Sequence, residues 1–165
     1  MDRGKAVADP QEEEEEEDAA AAGRHMRYWR RRPDTAEMRK LAAEHIVIKK
    51  SRIKKAGLGV FTTRIHIPPN EKKVLGWYKG RVVSPAEWEA MEPEDTRYIL
   101  ETDDGTLIDG SNPTGGGTNW TRYINSSYKS GRRANVAFVN GGVVAVRHIS
   151  PGDELLVNYG PRWFN

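Results

Sequence analysis

The most informative part of this chain is the segment Arg122-Tyr123-Ile124-Asn125-Ser126-Ser127. Two other segments form an ordered pattern with it. Ala56-Gly57-Leu58-Gly59-Val60-Phe61 lies upstream of it, and Glu154-Leu155-Leu156-Val157-Asn158-Tyr159-Gly160 lies downstream. Each segment is weak evidence by itself. A Gly-x-Gly between two strand patterns usually forms a hairpin turn, and a tyrosine at a strand end is usually a core residue. The three segments in this order form a specific pattern.

In this order the three segments resemble the sequence motifs of the SET domain, the family of protein-lysine methyltransferases that use S-adenosylmethionine as cofactor. The resemblance covers residues 46–164, which is most of the chain. It implies a mainly β, β-rich α+β fold made of several small sheets with a C-terminal pseudoknot. It also implies methyl transfer from S-adenosylmethionine to a lysine side chain, with a histone tail as the favoured protein substrate.

The local sequence patterns agree with this fold class. Residues 46–48 form a β-branched run, and further short strand patterns are separated by turn signals at residues 68–70, 104–105 and 140–142. Ser84, followed by a proline and acidic residues, is typical of a helix start. Many short strands with tight turns and few helices predict a β-rich domain.

Methyl transfer to a lysine sets clear demands on a site. The amine must be neutral to attack, yet a free lysine has a pKa of about 10.4. A dry, aromatic channel penalises the ammonium form and lowers that pKa, and its rings can hold a methylated ammonium. The reacting groups must also be held end to end. Such a site needs glycines for close backbone approach, a polar clamp and convergent aromatic rings, but no metal.

The resemblance assigns the cofactor contacts. The backbone around the glycine motif would grip the amino-acid end of S-adenosylmethionine, and Asn125 would hydrogen-bond to the cofactor. Ser126 stands where the family usually has a histidine that contacts adenine largely through its backbone, which makes it the main departure from the pattern. Arg122 has a surface ion pair as its alternative role, and Tyr98 and Trp163 have core packing as theirs. The full predicted set is Ala56, Gly57, Leu58, Gly59, Tyr98, Arg122, Tyr123, Asn125, Ser126 and Trp163.

The resemblance also assigns the catalytic and substrate-binding residues. Tyr159 occupies the place of the catalytic tyrosine of the family. Tyr78 and Phe138 match aromatic residues that line the lysine channel in some relatives, and Phe164 is a candidate to cap that channel. A phenylalanine at position 138 has no hydroxyl to hold a water against the amine, which favours di- or trimethylation.

The amino-acid composition excludes some kinds of site, and the distribution of charge divides the chain into three segments. The absence of cysteine excludes disulfides and thiolate zinc sites, and we predict no metal site. Residues 1–24 carry a net charge of −6 and are predicted to be a disordered acidic tail. Residues 25–44 form a basic segment with a short helix capped by Thr35 or Asp34. Residues 45–165 form the predicted catalytic domain. We expect a nuclear protein without membrane contact.

Two alternatives to a methyltransferase remain at the level of sequence. The first is a catalytically inactive SET-like module that binds a peptide or chromatin, which Ser126 in place of histidine favours. The second is a small β-barrel that binds nucleic acid through residues 27–55, because that part of the chain is rich in lysine and arginine. The basic segment is also a candidate for chromatin contact. Some short members of the family act as dimers, so a homodimer is a further expectation.

Overall fold

The computed structural model of the chain describes residues 34–111 and 119–158. The first half contains α1 (Ala36–His45), β1 (Ile46–Lys50), β2 (Leu58–Thr62), β3 (Gly76–Trp77), β4 (Arg81–Val83), α2 (Pro85–Glu89), the 3₁₀ helix η1 (Pro93–Tyr98), β5 (Ile99–Glu101) and β6 (Leu107–Asp109). The second half contains the 3₁₀ helix η2 (Trp120–Tyr123), β7 (Asn125–Ser126), β8 (Val136–Val139), β9 (Gly142–Ala145) and β10 (Leu156–Val157).

The strands form three separate small sheets. The largest has five strands in the order β3-β9-β8-β10-β7, the second pairs β1 with β2, and the third has the order β4-β6-β5. The predicted β-rich fold of several small sheets is therefore confirmed. Within the described residues, the separate sheets do not form the closed barrel of the nucleic-acid alternative. None of the described helices has the length and apolar composition needed to cross a membrane.

The C-terminal strand β10 lies between two strands that precede it in the sequence. It runs parallel to both neighbours: Leu156 is in register with Asn125, and Val157 is in register with Ser126 and Val136. The connection from β7 to β8 therefore passes around β10, which gives the sheet its pseudoknot. This topology places the segment that leads to Tyr159 beside the segment that contains Asn125.

Helix starts follow the sequence closely. The Thr35 hydroxyl accepts a hydrogen bond from the Met38 N–H at 3.1 Å, and the Ser84 hydroxyl accepts one from the Glu87 N–H at 3.1 Å. Both predicted caps are confirmed. A hydrogen bond from Arg81 of β4 joins this second helix to the third sheet and holds the pKa of Glu87 below its ordinary value of 4.5.

Some predicted strands are shorter in the structure. The sequence patterns at residues 74–78 and 98–101 predict strands over their full length. The structure forms strands only at Gly76–Trp77 and Ile99–Glu101, and Tyr98 ends the 3₁₀ helix η1. The β-branched and aromatic residues that suit a strand also suit a buried irregular segment, so their composition overestimates strand length. The glycine-rich stretch at residues 112–118 and the predicted acidic tail lie outside the described residues.

Candidate functional site

The three sequence segments that resemble SET-domain motifs meet at one place in the structure. The Asn125 side-chain amide donates a 2.8 Å hydrogen bond to the backbone carbonyl of Leu58, in the glycine motif. The same Nδ2 lies 3.4 Å from Oε2 of Glu154, which precedes β10. A residue from each segment therefore takes part in a single hydrogen-bonded cluster, which we call the motif junction (Leu58, Asn125 and Glu154).

Glu154 is the buried centre of the motif junction, with only 5% of its surface exposed. Its Oε2 accepts a 2.7 Å hydrogen bond from the Ser51 hydroxyl, and its Oε1 accepts a 2.9 Å bond from the Arg52 N–H. A buried carboxylate must be hydrogen-bonded, because an unpaired buried charge is very costly. In the sequence, Asp153-Glu154 after Pro151-Gly152 matches a turn of the family, which predicts a structural role for Glu154.

The two glycines of the motif are needed for different reasons. Gly57 has φ +76°, a backbone conformation that other residues adopt only with strain, and a Cβ there would meet nothing within 4 Å. A Cβ at Gly59 would overlap the Glu154 carboxylate. Gly59 therefore allows close approach within the protein, whereas Gly57 leaves open space beside the chain.

Two further residues of the predicted cofactor set, Ala56 and Ser126, each take part in a local turn. The Ala56 N–H donates to the Ile53 carbonyl at 3.1 Å, and Leu58 has 48% of its surface exposed. The Ser126 hydroxyl accepts the Tyr128 N–H at 3.0 Å, which closes a local turn. A serine at this position therefore stabilises the chain directly after β7.

Arg122 lies between two of the other predicted cofactor residues. Its guanidinium carbon is 4.1 Å from the centre of the Tyr98 ring and 4.6 Å from that of Tyr123. The guanidinium also donates to the carbonyls of Gly110 at 2.6 Å and Ser111 at 3.0 Å. Among residues 34–111 and 119–158, the partners of this cation are carbonyl oxygens and aromatic faces, and no carboxylate forms the surface ion pair of the alternative prediction.

Two residues predicted to line a lysine channel contact each other. The rings of Tyr78 and Phe138 pack edge to face with centroids 5.7 Å apart. Tyr78 has 4% of its surface exposed, and its hydroxyl donates a 2.6 Å hydrogen bond to the Tyr98 carbonyl. The structure therefore places Tyr78 in the core behind Phe138, while Phe138 remains half-buried.

A cavity of about 590 Å³ lies between the third sheet and the largest sheet. Phe138 and the end of β10 form part of its wall, and Asn158, the residue before Tyr159, lies on the same wall. Glu101 and Asp103 on the opposite side are exposed acidic residues. The full lining is Leu100, Glu101, Thr102, Asp103, Ala134, Val136, Ala137, Phe138, Val146, Val157 and Asn158.

Some predicted site residues cannot be placed. Tyr159, Trp163 and Phe164 lie outside the described residues, so their roles remain predictions. Across residues 34–111 and 119–158, no three histidine or acidic side chains are grouped as metal ligands.

Three comparisons with known proteins all match this chain to PR or SET methyltransferase domains. A profile of the PR domain of PR domain zinc finger protein 2 matches residues 46–165. The histone-lysine N-methyltransferase set-17 of Caenorhabditis elegans is 34% identical over 122 residues, which cover 72% of this chain but only 42% of that protein. The solved methyltransferase domain of human PR domain-containing protein 2 matches with a TM-score of 0.51 and 25% identity, over 86% of each chain.

These matches confirm the predicted likeness to SET domains and narrow it. The profile starts at Ile46, the first residue of β1, and extends across all three segments of the original pattern. The matched region therefore includes every strand of the described fold. The chain belongs to the PR domains, a SET-related family.

Proposed function

We propose that this chain is a protein-lysine N-methyltransferase that transfers a methyl group from S-adenosylmethionine, with a histone tail as its preferred substrate. The observation that carries the proposal is the motif junction, in which the glycine motif, Asn125 and the segment before Tyr159 are hydrogen-bonded to one another. Three segments distant in sequence converge where the family resemblance puts a cofactor.

The residues at the motif junction fit the amino-acid end of such a cofactor. The space beside Gly57 is open, and the adjoining Leu58 is half-exposed, so a ligand can approach the backbone there. Glu154 fixes Ser51, Arg52 and Asn125 from beneath, which makes the surface rigid before a ligand binds. S-adenosylmethionine would supply an electrophilic methyl group, and a rigid surface would hold it in line with an amine.

The cavity supports the substrate half of the proposal. A lysine ammonium would be attracted to Glu101 and Asp103 near the cavity and would meet the apolar wall of Phe138 and Val136 further in. Acidic residues favour approach of the charged form, whereas the apolar wall favours loss of its proton. A basic histone tail suits this combination, and a histone substrate would place the protein in the nucleus.

Methyl transfer with labelled S-adenosylmethionine and mixed core histones tests this function. We expect transfer by the parent chain and a loss of at least about tenfold in Tyr159→Phe, equal to about 1.4 kcal/mol in barrier height. Tyr128→Phe is the matched control, since it removes a tyrosine hydroxyl outside the predicted machinery. Equal activity in the parent and Tyr159→Phe would contradict the assigned catalytic role.

The inactive peptide-binding module remains the second candidate, because Ser126 replaces the usual histidine. Calorimetric titration with S-adenosylmethionine separates the two. An enzyme must bind the cofactor, and Asn125→Ala should weaken that binding by about tenfold, the effect of one lost hydrogen bond to a charged ligand. If the folded parent shows no heat of binding, the inactive module is the better assignment.

A further inference from the structure

The hairpin formed by β1, β2 and their connecting loop carries an unusual concentration of positive charge. Residues 45–70 contain no aspartate or glutamate. The same stretch contains six lysines and arginines, five of them in the hairpin. We call these five the cationic hairpin: Lys49, Lys50, Arg52, Lys54 and Lys55.

All five cations of the hairpin are exposed. None of them is within 4.0 Å of a carboxylate anywhere in residues 34–111 and 119–158. The neighbouring helix α1 shows the opposite arrangement: Lys40 pairs with Glu44 at 3.1 Å, and Glu37 of the helix pairs with Lys73 at 2.8 Å. Helix α1 therefore carries two acidic residues, both of them in ion pairs, beside its two basic ones, whereas the hairpin contains no acidic residue.

Two of the hairpin cations are held close together. Lys49 Nζ lies 4.5 Å from the centre of the Phe61 ring, and the Arg52 guanidinium carbon lies 5.3 Å from the same centre. Their separation therefore cannot exceed about 10 Å, about one Debye length at 0.1 M salt. Clustered like charges repel one another, and a polyanion bound across them would relieve that repulsion.

We propose that the cationic hairpin binds the phosphate backbone of double-stranded nucleic acid without reading its sequence. Lysines and arginines spread along one hairpin match a row of phosphates and would release its counterions on binding. A single strand is disfavoured, because its recognition relies on exposed aromatic rings that stack on bases. The hairpin has no such ring, since Phe61 is only 1% exposed.

This inference concerns a surface outside the cavity and does not rest on the proposed methyl transfer. The loop that carries Arg52, Lys54 and Lys55 leads directly into the glycine motif. A bound duplex would therefore lie beside the motif junction. The alternative prediction of a nucleic-acid-binding protein assigned that binding to residues 27–55. Within the described part of that stretch, residues 34–55, five of the seven lysines and arginines lie in the hairpin.

Fluorescence anisotropy of the full chain with a labelled 24-base-pair duplex of mixed sequence tests the proposal. The measured quantity is Kd over a series of salt concentrations from 50 to 200 mM. We expect Lys50→Gln, Lys54→Gln and Lys55→Gln together to raise Kd at least about tenfold. The slope of log K against log salt should become shallower by about two to three units, or about 0.9 per lost phosphate contact.

Two matched variants separate the hairpin from overall charge. Lys72→Gln, Arg97→Gln and Arg147→Gln together remove the same charge from dispersed, exposed positions and should change Kd less than about threefold. Lys50→Arg, Lys54→Arg and Lys55→Arg together should retain parental binding, because arginine keeps the positive charges. Far-ultraviolet circular dichroism confirms that all variants are folded.

Three results would overturn the proposal. The first is equal weakening in the hairpin and dispersed variants, which would mean that only net charge matters. The second is tighter binding to the single strand of the same length than to the duplex. The third is no binding at 50 mM salt, even when the acidic run at residues 12–18, a competing polyanion, is changed to glutamine and asparagine.

Discussion

A single carboxylate links the three segments that define this domain. Glu154 binds the Ser51 hydroxyl and the Arg52 amide directly, and it lies beside the Asn125 amide. Gly59 must lack a side chain because this carboxylate occupies the space beside it. At the scale of residues, contacts within the protein are therefore enough to require a glycine at position 59.

Replacement of Gly59 by alanine tests this close contact. The new Cβ would overlap the Glu154 carboxylate, so we expect a loss of about 2–3 kcal/mol in the free energy of unfolding, measured with urea. In Gly59→Ala combined with Glu154→Ala, the overlap is removed. The double variant should therefore be less destabilised than the sum of the single changes by at least about 1 kcal/mol. Strict additivity would show that the two residues do not interact.

At the scale of elements, β10 is held in the pseudoknot by side-chain as well as backbone hydrogen bonds. The buried Asn135 donates to the Glu154 carbonyl at 3.0 Å and accepts from the Leu156 N–H at 2.9 Å. Its backbone N–H donates to the Leu156 carbonyl at 3.0 Å. Asn135 thereby extends the pairing between β8 and β10 beyond the point where both chains are regular strands.

Asn135→Ala should loosen this strand. The change leaves a buried carbonyl and a buried N–H of the β10 segment without partners, at a cost of about 1–3 kcal/mol for each group. We expect a total loss of about 3 kcal/mol in the free energy of unfolding and faster hydrogen exchange at Leu156. Asn70→Ala, at an exposed position, is the control and should cost less than about 1 kcal/mol. Unchanged exchange at Leu156 would show that other contacts hold the strand.

At the scale of the whole molecule, two hydrophobic cores share one side chain. The larger core lies beneath the five-stranded sheet, and the smaller one contains Tyr78, Val82, Leu100 and Ile108. Phe138 packs against both cores and also forms part of the cavity wall. The wall of the candidate substrate cavity is therefore also the connection between the two parts of the fold.

Phe138→Ala should destabilise this connection. Because the ring is only half-buried, we expect a loss of about 2 kcal/mol, below the 3–5 kcal/mol typical of a fully buried phenylalanine. The neighbouring Val139 is 40% exposed, and Val139→Ala should cost less than about 1 kcal/mol. Equal losses in the two variants would indicate that Phe138 does not couple the cores. Loss of a single cooperative transition in Phe138→Ala would support the coupling strongly.

Local chemistry explains what could be predicted from the sequence about the candidate site and the elements. The Thr35 and Ser84 caps depend on neighbours three residues away, so the pattern alone was sufficient to predict them. The family resemblance supplied the segment order and the convergence of Asn125 with the glycine motif. It could not indicate that Tyr78 would be buried behind Phe138, because that depends on packing between two sheets.

By itself, the sequence determined the β-rich class, the helix starts and the family. Helix caps depend on hydrogen bonds between residues close in sequence, and each family motif is a short contiguous segment. Only the tertiary structure decided that Glu154 would become the centre of the motif junction and that Asn135 would secure β10. Both roles need partners distant in sequence: the bond from Ser51 to Glu154 spans 103 residues. Buried polar groups must be hydrogen-bonded, because burial makes an unpaired polar group costly. The tertiary structure decides which of them form pairs, because it brings distant residues together.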